Sequence, residues 1–176
     1  MTGDVQNDTG STLTVTGLLQ VSGVVNNSGT LEVGGGTSPT VTAGVLTVAG
    51  LLTNSNALTV DAGSTLNANG GVSNSSTFTN NGTTYGALSN SGTAGNNGSY
   101  LGDVTANTGA ITNSANWTGN LLAGANTGAG QISNAGTWRG TGNNDGGQLN
   151  NSGTWIGGSA RSSTTAAHSP IRRPER

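Results

Sequence analysis

The chain has 176 residues and is polar but weakly charged, with 31% hydrophobic, 3% aromatic and 7% charged residues and a net charge of −2. Gly, Thr, Asn and Ser make up more than half of it, and Cys and Lys are absent. The scarcity of helix formers argues against a helical bundle, and the lack of Cys excludes a disulfide scaffold. Only five Arg are available to neutralise phosphates, so we expect no nucleic-acid partner.

The first part of the chain predicts short strands. Residues 1–9 form an N-terminal lead-in, and from residue 10 onwards polar and apolar residues alternate between Gly-rich turns. Period-2 alternation with one polar face is typical of half-buried strands. The clearest runs are Thr12–Thr16, Leu19–Val21, Leu31–Val33, Leu46–Val48 and Leu58–Val60.

One local motif recurs seven times along the chain. It consists of Gly, any residue, an aliphatic residue, Ser/Thr/Asn, Asn, three small residues and usually a large apolar residue, as in Gly23–Leu31. Gly and the second Asn are present in every copy, and the residue two before that Asn is always Val, Leu or Ile. The seven Asn are Asn27, Asn54, Asn74, Asn90, Asn113, Asn134 and Asn151.

The spacing of these Asn predicts a solenoid. Consecutive members lie 16 to 27 residues apart, about 21 on average, and a period in this range indicates stacked repeats. We therefore predict an all-β fold, a parallel β-helix of about seven or eight coils over residues 10–158. The uneven steps predict loops of variable length at one corner. Stacking lets a few inward side chains per coil form one continuous core.

The repeated Asn and the Trp residues are the candidate site residues. Each Asn lies two residues after the inward aliphatic residue and so faces the interior. We expect the seven amides to stack as a structural ladder; an amide row that binds a ligand is the alternative. Trp117, Trp138 and Trp155 fill the slot that Leu31, Leu58 and Phe78 hold in earlier copies. They form either a buried aromatic stack or an exposed row that binds sugar rings.

The sequence offers little for catalysis. The single His168 lies near the C-terminus, Cys is absent, and the seven acidic residues share no repeat position. We therefore expect no metal site, no cofactor and no enzymatic activity. No stretch is long and apolar enough to enter a membrane as a helix, and the N-terminus lacks the pattern of a signal peptide.

Residues 159–176 differ from the rest of the chain. They contain Arg161, Arg172, Arg173 and Arg176, four of the five Arg. We predict a disordered basic tail, or an unrelated reading frame joined to a truncated repeat region.

The motif Gly-x-Leu/Val/Ile-Thr/Ser/Asn-Asn-Ser-Gly-Thr-Leu/Trp resembles the passenger regions of autotransporters and related large adhesins of Gram-negative bacteria. The copies at Asn27, Asn90 and Asn151 are the most similar, and the resemblance covers residues 10–158. It implies a right-handed β-helix, secretion through the outer membrane and a place at the cell surface. It also implies adhesive partners, such as surface glycans or proteins of a host or of the same bacterium, and neighbouring coils of a longer parent chain.

Two alternatives stay open. One is a fragment of a β-helix enzyme that acts on polysaccharides, which would need loops to assemble a carboxylate cluster. The other is a non-functional, low-complexity remnant of a broken gene.

Overall fold

The computed structural model describes residues 1–36 and 42–158, and within them every regular element is a β-strand. Twenty-four strands alternate regularly among three eight-stranded sheets, and every pairing is parallel. Each group of three consecutive strands is one coil of a β-solenoid, so the described chain forms eight coils. The prediction of an all-β parallel β-helix of seven or eight coils is confirmed.

Sheet A contains the first strand of each coil. Its strands are β1 (Val5–Asn7), β4 (Val25–Asn27), β7 (Leu52–Asn54), β10 (Val72–Asn74), β13 (Leu88–Asn90), β16 (Val104–Asn107), β19 (Leu121–Asn126) and β22 (Gly142–Asn144).

Sheet B contains the second strand of each coil. Its strands are β2 (Thr12–Val15), β5 (Thr30–Val33), β8 (Ala57–Val60), β11 (Thr77–Asn80), β14 (Thr93–Asn96), β17 (Ala110–Asn113), β20 (Gln131–Asn134) and β23 (Gln148–Asn151).

Sheet C contains the third strand of each coil. Its strands are β3 (Leu18–Val21), β6 (Val45–Val48), β9 (Thr65–Ala68), β12 (Thr83–Tyr85), β15 (Ser99–Leu101), β18 (Asn116–Thr118), β21 (Thr137–Arg139) and β24 (Thr154–Ile156).

The solenoid starts earlier than the sequence predicted. Strand β1 pairs in register with β4, Val5 opposite Val25 and Asn7 opposite Asn27. The first coil therefore includes residues 5–7, which the sequence analysis had assigned to the lead-in 1–9. At the other end β24 closes the eighth coil within the predicted limit of residue 158, and the predicted tail 159–176 lies outside the described residues.

Alternation places one set of side chains inside every coil. Strands such as Leu52–Asn54 and Ala57–Val60 bury every second residue, as the pleat requires. The buried residues of all three sheets form one continuous apolar cluster that runs from Val15 to Trp155. The core therefore needs only a few residues from each coil, which is how a chain with 31% hydrophobic residues can fill it.

Glycine at the corner between sheets C and A lets consecutive coils come close together. A Cβ atom added to Gly102, Gly119, Gly140 or Gly157 would collide with the carbonyl oxygen of the corresponding glycine one coil earlier. Any side chain there would push two coils apart and weaken the hydrogen bonds on both flanks.

Candidate functional site: stacked amides and aromatic rings

The last residues of the sheet A strands form the first amide ladder. In each step, Asn Nδ2 donates to Asn Oδ1 of the next coil over 2.6–2.9 Å. The eight side chains are at most 5% exposed. In coil order they are Asn7, Asn27, Asn54, Asn74, Asn90, Asn107, Asn126 and Asn144.

The same amides also bind the backbone at the corner between sheets A and B. Asn54 Nδ2 donates to the carbonyl of Asn56 in its own coil, at 3.1 Å, and to that of Thr77 in the next coil, at 2.9 Å. The next-coil acceptors of the ladder amides, such as Thr77, are the first residues of sheet B strands, so each of these bonds ties the corner of one coil to the start of a strand in the next. The ladder is therefore a structural device that holds the corner, because buried polar groups need partners.

A second amide ladder runs along the corner between sheets B and C. The five amides are joined by Nδ2–Oδ1 hydrogen bonds of 2.6–2.8 Å. In the first three coils the same position holds Val15, Val33 and Val60. The ladder members are Asn80, Asn96, Asn113, Asn134 and Asn151.

The sequence analysis was wrong to place its seven Asn in one row. Asn27, Asn54, Asn74 and Asn90 belong to the first ladder, whereas Asn113, Asn134 and Asn151 belong to the second. The motif changes corner between Asn90 and Asn113, because the same short pattern of aliphatic residue, Asn and small residues forms both corners.

Six ladder members were missed. They are Asn7, Asn107, Asn126, Asn144, Asn80 and Asn96. The sequence did contain a regular spacing for four steps of the first ladder. Its members at these steps are 16 to 19 residues apart: Asn74, Asn90, Asn107, Asn126 and Asn144. The motif's requirements hid it: Asn107 and Asn126 lack Gly four residues earlier, and Asn144 lacks the aliphatic residue two positions earlier.

The three Trp side chains lie inside the solenoid, in a column of sheet C. Trp117, Trp138 and Trp155 are 1%, 0% and 6% exposed. Adjacent indole rings are nearly parallel, with centroids 4.6 and 4.7 Å apart. Tyr100 extends the stack at 4.0 Å from Trp117. With both faces covered by neighbouring rings, Trp117 and Trp138 have no free face for a sugar.

Each indole also makes a hydrogen bond at the glycine corner. Trp117 Nε1 donates to the carbonyl of Gly102 at 3.0 Å, and Trp138 Nε1 donates to that of Gly119 at 2.9 Å. Trp155 repeats the contact with Gly140 at 3.0 Å. The polar edge of the ring is thus satisfied inside the core, as buried Trp requires.

The Trp do not share a column with the residues that the motif aligned with them. Leu31, Leu58 and Phe78 stack on sheet B, whereas the sheet C column continues from Trp117 through Tyr100. This difference has the same origin as the split of the Asn row, namely the change of corner.

Tyr100 is the one aromatic residue of the stack whose polar atom has no partner. Its hydroxyl is buried and unbonded within the described residues, and burial raises the pKa of the phenol. The side chain sits in the column between Thr84 and Trp117, where its ring contributes stacking and its hydroxyl costs desolvation.

The outward surface of sheet C carries the most varied row of side chains. In register from coil to coil stand Tyr85, Leu101, Thr118, Arg139 and Ile156. Tyr85 and Ile156 are 44% and 37% exposed. We call this row the sheet C stripe; it offers an aromatic ring, apolar groups and a guanidinium to solvent.

The described residues contain no cluster of three or more metal-ligating side chains. They also contain no helix that could cross a membrane. His168 lies outside them. No family model, no curated protein and no solved structure matches this chain.

Proposed function

We propose that this chain is a non-catalytic stalk with an adhesive face, a passenger-like region of a protein at the bacterial cell surface. The observation that carries the proposal is the filling of the interior by two amide ladders and an aromatic stack. Their amide and indole N–H groups are engaged by the fold itself, so the inward polar residues serve architecture. The motif's resemblance to autotransporter passengers supports the surface location.

The dimensions suit a spacer. Eight coils at about 4.8 Å each give a rod of about 38 Å, held along its axis by parallel hydrogen bonds in three sheets. Successive ladder partners are only 16 to 27 residues apart in sequence. Such a rod can fold coil by coil from any nucleus, which suits a chain that emerges gradually from a membrane.

The sheet C stripe is the surface that we assign to adhesion. Tyr85 offers an exposed ring of the kind that packs against sugars or apolar protein surfaces, and Arg139 adds a donor for carboxylates or hydroxyls. Elsewhere the outward positions hold mostly small polar residues, such as Asn26, Thr53 and Ser73 on sheet A. A surface glycan or protein is therefore the expected partner.

The test is surface display in a Gram-negative host. The chain is inserted between a signal peptide and an autotransporter barrel, and exposure is measured by external protease. Adhesion to glycan-coated and protein-coated surfaces is compared with that of cells carrying the barrel alone. Tyr85→Ser should reduce adhesion. Leu51→Ser is the matched control, because Leu51 is a similarly exposed apolar residue, at 41%, outside the stripe.

The outcomes separate the parts of the proposal. Failure of the chain to reach the surface would refute the export component. Efficient display without adhesion above the barrel alone would refute the adhesive component. Equal losses of adhesion in Tyr85→Ser and Leu51→Ser would refute the assignment of adhesion to the sheet C stripe.

A further inference from the structure

The edge strands at the two ends of the described solenoid have complementary chemistry. Strands β1, β2 and β3 are the edge strands of the three sheets at one end, and β22, β23 and β24 are the edge strands at the other. We propose that the C-terminal coil of one molecule stacks on the N-terminal coil of a second copy, in register, so that the chain assembles head to tail.

The first argument is the direction of the first amide ladder. All seven of its side-chain bonds run from Nδ2 of one coil to Oδ1 of the following coil. Asn7 Oδ1 therefore accepts no hydrogen bond within the described residues. At the other end Asn144 Nδ2 donates only to Gly147 of its own coil, at 2.7 Å. An open acceptor at one end and a spare N–H at the other fit head-to-tail stacking alone.

The second argument is the incomplete burial of the core at both ends. Val5, Leu13 and Leu19 are only partly buried at the N-terminal end, and so is Leu149 at the C-terminal end. One coil further in, their column partners Val25, Leu31 and Leu46 are 0–1% exposed. A stacked second copy would place Leu149 over Leu13 and cover both.

The third argument is the composition of the edge strands themselves. Proteins protect edge strands with charged residues, Pro or bulges that point away from the sheet. None of the six edge strands contains a charged residue or Pro: their sequences are VQN, TLTV and LLQV at one end and GNN, QLNN and TWI at the other. The lengths match in sheets A and B, three on three and four on four residues.

Two features of the interface oppose assembly. The first is the N-terminus, which lies on the edge of β3: Met1 N donates to the carbonyl of Gln20 at 2.9 Å, and Ser22 N donates to the carbonyl of Met1 at 3.3 Å, so stacking must displace Met1 from this edge. The second is a pair of carboxylates. Asp8 and Asp145 each follow a ladder Asn, so stacking brings these two exposed carboxylates next to each other. Their repulsion is screened by salt. Assembly is therefore weaker at low salt, and Asp8→Asn strengthens it, because the Asp8 side chain makes no hydrogen bond within the described residues that this change would remove.

Cysteine cross-linking tests the register directly, because the chain has no Cys of its own. In the stacked arrangement Thr14 of one copy lies opposite Asn150 of the other, about 4.8 Å away, within the range for a disulfide. In one molecule the two positions are seven coils, or about 34 Å, apart. The full chain carrying Thr14→Cys and Asn150→Cys should form a disulfide-linked series of oligomers under mild oxidation.

The control pair is Thr14→Cys with Thr112→Cys. Thr112 stands in the same outward column, two coils from the end, and should remain unlinked. Asn150→Cys alone should also stay unlinked. Efficient linking of this single variant would indicate tail-to-tail dimers and would overturn the proposal, as would equal linking of the two pairs.

Sedimentation of the cysteine-free chain supplies the second measurement. Oligomers should grow with protein and salt concentration, and Leu13→Lys should raise the concentration for half-assembly by at least about tenfold. Thr112→Lys is its control, because it adds the same charge at an exposed position of β17, a strand that is paired on both sides. Far-UV circular dichroism checks that both variants keep the β signal.

A chain that stays monomeric at every concentration and salt level refutes the assembly. If the monomer also shows strong hydrogen-exchange protection in β22–β24, a further segment of the same chain occupies that edge, which equally overturns the proposal. None of these measurements depends on export or adhesion, so their failure leaves the stalk proposal unaffected.

Discussion

Replacing Asn54 of the first amide ladder with an aspartate exchanges the side-chain NH2 group for an oxygen. A hydrogen-bond donor thereby becomes an acceptor. Asn54 Nδ2 donates to Asn74 Oδ1 at 2.7 Å and to the carbonyls of Thr77 and Asn56 at 2.9 and 3.1 Å. Its Oδ1 accepts from Asn27 at 2.7 Å. An aspartate keeps the accepting oxygen, but its second oxygen faces three acceptors. A carboxylate there would be buried, unpaired and surrounded by negative partial charges.

The magnitude follows from proton linkage. A side chain that is 0% exposed at this position will bind a proton in the folded state, because the acid can still donate one O–H bond. An aspartate with an ordinary pKa near 3.9 in the unfolded chain must be held neutral at pH 7, which costs about 4 kcal/mol at 1.4 kcal/mol per unit. The lost second donor adds about 1 kcal/mol.

The sign of the pH dependence is fixed by the same reasoning. The pKa of the carboxyl group introduced by Asn54→Asp is raised on folding, so the folded state of the variant binds more protons than its unfolded state above about pH 4. Stability is therefore highest below about pH 4 and falls by about 1.4 kcal/mol per pH unit above it. The native chain should be much less sensitive, since it has only seven acidic residues.

Urea unfolding followed by far-UV circular dichroism between about pH 3 and pH 8 checks this expectation. Asn150→Asp is the control, because Asn150 is exposed on the outer face of β23, and it should cost less than about 0.5 kcal/mol. A loss for Asn54→Asp that is equal at the acidic and neutral ends of this range, or no greater than that of the control, would refute the structural role of the ladder.

Three further changes address the stack and the glycine corner. Trp138→Ala should lower stability by about 3–5 kcal/mol, seen as a large drop in Tm, because it empties a site between two stacked rings. Tyr100→Phe should raise stability by about 1 kcal/mol, because it removes a buried hydroxyl without a partner. Since burial raises the pKa of that phenol, the native chain should lose stability above about pH 10, and Tyr100→Phe should reduce this loss. Gly119→Ala should cost about 1–3 kcal/mol by its collision with Gly102, whereas Gly95→Ala, which meets no atom within 4 Å, should be tolerated in the same thermal melt.

The local pattern of the sequence was sufficient for the class of fold. Alternation such as Leu58-Thr59-Val60 determines which side chains face inward, and Gly and Asn determine where the chain turns. These are properties of a few neighbouring residues. A chain with so small an apolar fraction then has few ways to bury it other than stacking identical coils, so the solenoid and its approximate number of coils could be predicted.

The positions of the candidate site residues could be predicted only in part. The sequence placed Asn90 and Asn113 in one row, yet they occupy different corners and different ladders. Both corners require the same local sequence, an inward aliphatic residue, an inward Asn and small turn residues. Nothing in a nine-residue motif tells the first corner from the second.

What the sequence by itself determined is thus the coil: strands, turns and the inward direction of the Asn side chains. The sequence left the Trp row either buried or exposed, and only the structure places it inside. What the tertiary structure decided is the vertical register, by which Asn113 stacks on Asn96 and Trp117 on Tyr100. The physical reason is the range of the interactions. Turn and alternation preferences act between adjacent residues, whereas the register is set by hydrogen bonds and ring contacts between residues about one coil, or 16 to 27 positions, apart.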